Sequence, residues 1–460
     1  MNEFKYFFII ILSIISHINS VDNKYLIFDF RTNIDLNEVN NENYMKIKYD
    51  QKLYVDMEIG KPPQKIPMTI KTFQYPTFLA SNKIGDYIKI KYKQDSSTTF
   101  SYVSQSLLEG MFQYDFNKGY ISKDILNIKT PIKDFYFMLG TSVGVGVKNT
   151  SGVIGLSKTN PDKNVPNIKQ VQFIKQLLDN DLISQKIFGI IFETEYEGKL
   201  IFGKYLHELD NSYKENECIM DTDVSDNKNN MWMMKFDVNC ISGIDKTIIY
   251  TEESYGFMYF ELGLIVGSTV FERDFVKDYF SKRNCQSEHV DASYHFNEYY
   301  CTDKSQFEDF PNITLRYKDQ YNFVFTRDDL FIKRGEKYIF QIVFDIYATE
   351  GVQYWKIGQF FFKKYSVFFK EEEKGFKMAY YLKPKFDSKK IGYGTNTQVV
   401  VIVVLSIILG LLIIGIIIYF RYFYPKTRKK KIYEIPDMED VEYIPQGESR
   451  NKLMDNDKDE

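Results

Sequence analysis

Lys71 has the most conspicuous chemical setting in the sequence. The stretch IGKPPQKIPMTIKTF, Ile59 to Phe73, reads as a strand, a Pro-Pro turn and a second strand that ends on this lysine. A lysine held at a fixed place can act as a nucleophile or form a Schiff base when its surroundings lower its pKa. That chemistry needs a partner, and the residues that follow, Thr72 and Phe73, supply none. A structural lysine is the better reading. Cys218, Cys240, Cys285 and Cys301 are the other reactive candidates. No CxxC or HxxxH spacing points to zinc, so neither a metal nor a cofactor is expected. In an oxidising compartment four cysteines make two disulfides. Sequential pairing, Cys218–Cys240 and Cys285–Cys301, closes short local loops and is the expectation among three connectivities. Asn149-Thr150-Ser151 and Asn312-Ile313-Thr314 are glycosylation acceptors if that part of the chain is luminal or extracellular.

The elements that must position these residues are mostly strands. Short apolar or alternating runs bounded by Gly, Pro, Asn or Asp occur at Lys52–Ile59, Ile66–Ile70, Ile88–Lys93, Ile187–Glu193 and Lys199–Gly203. They recur at Trp232–Ile241, Tyr338–Tyr347 and Ser366–Phe369. Helical periodicity is confined to Phe173–Leu182 and Thr269–Tyr279. Val153-Ile154-Gly155 and Lys356-Ile357-Gly358 each close a strand-rich half, a hint of two-fold self-similarity. With 59 basic against 62 acidic side chains and no basic stripe with interleaved aromatics, nucleic-acid binding is not expected.

Both ends point to a membrane. Residues 1–20 have one lysine, an apolar run and a small residue before a polar stretch, the pattern of a signal peptide. Val399–Phe420 carries no charge and is long enough, at about 1.5 Å per residue, to cross a hydrocarbon core of about 30 Å. Arg421, Lys426 and Arg428–Lys431 follow it, the basic flank of a cytoplasmic side. The expected topology is single-pass, with residues from about 21 to 398 luminal or extracellular, the bilayer met at Val399–Phe420 and the C-terminus in the cytoplasm.

Over nearly its whole length, the part of the chain between about residues 21 and 398 resembles the pepsin-like aspartic peptidases. YVDMEIGKPPQKIPMTI is similar to the family's entry hairpin with its IGTPPQ turn, and SGVIGLS at Ser151–Ser157 to its DGILGL segment. FIKQLLDNDLISQKIFGIIF followed by GKLIFGKY resembles its helix and the next two strands. LIVGSTVFERDF, FPNITLRY and YWKIGQFFFKKYSVFFKEEEKGFKMAYY complete six matches in order. The resemblance implies a mostly β, bilobal pepsin-like fold. The expected parts are residues 21–50 as an N-terminal segment or proregion, 51–205 and 206–385 as lobes, 386–398 as a linker and 421–460 as a tail.

In that family each lobe supplies one aspartate. The pair shares a proton, so one carboxyl activates water while the other protonates the peptide carbonyl. The resemblance places Lys71 at the first aspartate position and Phe73 at the glycine that follows. At the second, a count with two deleted residues selects Glu261 with Gly263 as the motif glycine and is preferred; an ungapped count selects Tyr259. Val103 falls where the family has its flap tyrosine. A lysine and a glutamate facing one another would form an ion pair across the lobes. The expected function is that of an inactive peptidase homologue binding a peptide or protein through its cleft or loops. The alternative is an active membrane-bound aspartic endopeptidase. A third reading gives all contacts to the inserts at Cys285–Cys301 and Asp226–Asn230.

Overall fold

Two hairpin-built sheets carry the chain. The computed structural model describes residues 24–34, 43–85, 88–104, 106–109, 116–143, 150–158, 168–213, 219–221, 232–241, 248–290, 295–317, 321–346, 354–372, 375–381, 415 and 418. The expected signal peptide, the span Val399–Phe420 apart from Gly415 and Ile418, the linker, the tail, Asn149, Cys218 and the Asp226–Asn230 insert lie outside the described residues. No helix among the described residues is long and apolar enough to cross a membrane. The described residues from Lys24 to Tyr381 belong to one compact unit.

Among the described residues the first sheet has 14 strands and the second 11. In the first, Leu53–Ile59 and Gln64–Lys71 form the expected hairpin, with Tyr54 opposite Thr69 and Ile59 opposite Gln64. Gly60 makes the turn at φ +90°, a conformation that side-chain-bearing residues rarely adopt. The N-terminal segment is built into this sheet rather than appended to it. Leu26–Thr32 pairs antiparallel with Glu197–Phe202 on one side and with Leu53–Ile59 on the other. The same sheet crosses the expected lobe boundary at 205/206, because Ile187–Phe192 pairs with Ser366–Glu372, which in turn pairs with Gly375–Tyr381.

The expected strand at Ile88–Lys93 does not form. Ile88 and Tyr92 are buried but Ile90 is 47% exposed, so the alternation breaks, and only Tyr92 makes a bridge, to Ser81. The run Tyr338–Tyr347 splits into Lys337–Phe340 and Ile342–Asp345. Phe173–Asp179 is helical, with Phe173, Ile174 and Leu177 buried, and it stops short of the expected Leu182 because the chain turns at Asp181, φ 60°. The second helical stretch runs from Thr269 to Ser281. Ser268 starts it: its Oγ accepts from the Val270 and Phe271 N–H groups and donates to Glu252 Oε1 at 2.8 Å.

Cys285 and Cys301 are bridged, joining the end of that helix to the strand Phe296–Cys301. The expected Cys218–Cys240 bridge is corrected at Cys240, which is a free, buried thiol. It faces the core from the strand Met233–Ile241, which is hydrogen-bonded on both sides, opposite Tyr250 and Ile313. Burial pushes this thiol's pKa up and keeps it protonated.

Candidate functional site

The two lobes repeat one arrangement. In the first, Gln64–Lys71 runs parallel to Gly152–Gly155, which is antiparallel to Phe78–Ala80; Thr69 and Phe78 both pair with Val153. In the second, Ile248–Met258 runs parallel to Tyr354–Ile357, which meets Ile265–Gly267; Phe257 and Val266 both pair with Lys356. The chain takes nine residues from Thr69 to Phe78 and nine from Phe257 to Val266. No deletion separates the two loops. Lys71 is therefore equivalent to Tyr259, Thr72 to Phe260, and Phe73 to Glu261. The gapped count that selected Glu261 is corrected in favour of Tyr259.

Close packing supports the equivalence. A Cβ on Gly155 would meet the Gln74 and Pro76 carbonyls at 2.6 and 2.5 Å; one on Gly358 would meet those of Leu262 and Leu264 at 2.3 and 2.0 Å. These carbonyls are themselves equivalent pairs. The glycines let the loops close over the ends of the short strands.

Thr72 ties the lobes together. Its Oγ1 donates to the Met258 carbonyl at 2.5 Å and accepts from the Phe260 N–H at 3.4 Å. The tie is one-sided, since the equivalent of its hydroxyl is the Phe260 ring. That ring is buried against Phe188, Phe362 and Phe369 at centroid distances of 6.3, 4.9 and 5.7 Å. Gln359, fully buried, braces the second loop: its Nε2 donates to the Phe260 and Gln51 carbonyls at 2.8 and 2.9 Å. Gly263 is the contact point for the N-terminal segment, since a Cβ there would lie 1.9 Å from the Lys48 carbonyl.

The side chains brought together are Lys71, Phe73, Tyr259 and Glu261. The Lys71 ammonium lies 5.2 Å from the centre of the Phe73 ring, and Phe73 and Tyr259 are 5.6 Å apart. Glu261 Oε2 accepts from the Thr72 N–H at 3.3 Å, while Oε1 is shut off from solvent without a hydrogen-bond donor. Burial pushes the Glu261 pKa up to about 7, against the opposing charge of Lys71 and the Thr72 bonds. Glu261 is thus linked across the lobes both by the bonds from Thr72 and by the charge of Lys71.

One lobe-spanning family fits this geometry, and the sequence matches its model: eukaryotic aspartyl protease, over residues 52–381. The chain belongs to the eukaryotic aspartyl protease family. No curated protein matches the sequence significantly. Within this aspartyl protease domain, Val103 belongs to the first lobe. It packs on a core cluster of the first lobe and donates its N–H to the Ile121 carbonyl at 2.9 Å. Asn312 opens the strand Asn312–Tyr317 and is half-buried. Among the described residues no group of three or more His, Cys, Asp or Glu could hold a metal ion. Reasoning from sequence missed Gln359 and Lys48–Gln51, for which no local signal exists. It also passed over Thr72, although its place beside Lys71 was a usable clue.

Proposed function

We propose that this member of the family is a membrane-anchored homologue that binds a peptide or protein in its cleft without cutting it. The observation that carries the reading is the equivalence of Lys71 and Tyr259 at the ends of the two parallel strand pairs. Dyad chemistry needs two carboxyl groups there, one ionised to activate water and one protonated to serve the carbonyl oxygen. An ammonium and a phenol supply neither role. Glu261 is the one carboxyl of the group, and a single carboxyl does not act as acid and base in the same step. Thr72 bonds the two lobes together, which suits a cleft kept for binding. Anchoring rests on the uncharged run Val399–Phe420 with its basic flank and on the signal-peptide pattern of residues 1–20. The Cys285–Cys301 bridge suits the oxidising side of that membrane.

The test is incubation of the purified full chain with an unbiased peptide library from acidic to neutral pH, with and without a statine-type inhibitor. No new termini are expected, while fluorescence anisotropy with the same peptides should register binding. Inhibitor-sensitive cleavage would overturn the reading in favour of a working endopeptidase. Absence of both cleavage and binding would overturn the assignment of ligand binding to the cleft.

A further inference from the structure

Gly263, two residues beyond Glu261, also lines a cavity of about 480 Å³ on the side of the N-terminal segment. That volume lies within the roughly 300–1,000 Å³ of pockets that hold small ligands. The walls come from elements far apart in the chain: the helix Tyr44–Tyr49, the turn at Glu195, the helix Gln359–Lys364 and the second-lobe residues Phe325, Asp329 and Ile332.

The charges in the wall do not cancel. Lys48, Lys363 and Lys364 face two carboxylates, Glu195 and Asp329. Lys48 forms a close pair with Glu195, and Lys364 pairs with Asp329 at 2.5 Å. Lys363 is left with Glu195 at 4.0 Å, a carboxylate that Lys48 already engages. Burial and the neighbouring Lys48 charge lower the Lys363 pKa to about 7, so an incoming anion would secure its proton. Phe325, Ile332 and Phe360 supply an apolar surface in the same cavity.

We propose that this cavity binds a small carboxylate with an apolar body, the carboxylate meeting Lys363 and the body lying against Phe325, Ile332 and Phe360. A half-buried lysine whose nearest carboxylate is already engaged by Lys48 favours an incoming anion, and the apolar wall rewards burial of hydrocarbon.

Calorimetric titration of the purified full chain with 3-phenylpropionate, its neutral amide and acetate tests the assignment. The acid is expected to bind, with the amide and acetate each at least about 10-fold weaker. Lys363→Met should remove most of the acid's affinity. Glu195→Gln, which takes away the competing carboxylate, should strengthen it. Opposite signs for the two variants separate a binding role from a loss of folding, which would weaken both. Equal affinity for acid and amide, equal affinity for acetate, weakening in both variants, or no binding by any of the three at millimolar concentration would each overturn the proposal.

Discussion

Replacing Glu261 by glutamine should flatten the pH dependence of stability between about pH 4.5 and 7. Burial raises the Glu261 pKa from an ordinary 4.5 to about 7 in the folded protein. Between those values the folded chain holds a proton that the unfolded chain has released. Stability from this group is therefore complete below pH 4.5 and is lost as pH rises through 7. A displacement of about 2.5 pH units at 1.36 kcal/mol per unit amounts to about 3 kcal/mol. For a folded region of this size that is about 4–5 °C in Tm. Glu298, raised to about 7 by burial and by the Glu288 charge, adds a second contribution in the same window. The wild-type chain should thus be more stable at pH 5 than at pH 7.5, and Glu261→Gln should lose roughly half of that difference. Urea unfolding midpoints at the two pH values, with thermal scans beside them, make the measurement. An unchanged slope in Glu261→Gln would refute the buried-carboxyl account of this site.

Lys71→Met removes the charge that opposes burial at Glu261, so the window in which stability falls should extend above pH 7. The same urea midpoints, taken to pH 9, would detect it. Thr72→Val deletes the donor to the Met258 carbonyl and the acceptor for the Phe260 N–H. It should cost about 1–3 kcal/mol in urea unfolding, because the Met258 carbonyl is left unpaired.

Much of the local structure was legible from residues close in sequence. The turn chemistry of Gly60-Lys61-Pro62-Pro63 announced the hairpin that ends at Lys71, and the shared face of Phe173, Leu177, Leu178 and Leu182 announced a helix, which runs to Asp179. Two local readings failed for identifiable reasons. At Ile88–Lys93 the alternating pattern found, among the described residues, no strand to pair with beyond the Ser81 bridge. At Cys240 the side chain turned inward on a strand already paired on both edges.

By itself, the sequence determined the β-rich character, the hairpin delivering Lys71, the short-loop bridge Cys285–Cys301 and the repeated Val-Ile-Gly and Lys-Ile-Gly segments. Each of these depends on interactions along a short stretch of chain or on residue chemistry. Only the tertiary structure decided that Tyr259, and not Glu261, is the counterpart of Lys71. That decision rests on parallel pairing between Phe257 and Lys356, partners about a hundred positions apart, and local periodicity carries no information on such a register. The same holds for Gln359 beneath the second loop, for Lys48 behind Gly263, and for Lys363, which shares Glu195 with Lys48. Their roles arise from desolvation and close contact between distant segments, which exist only once the sheets have formed.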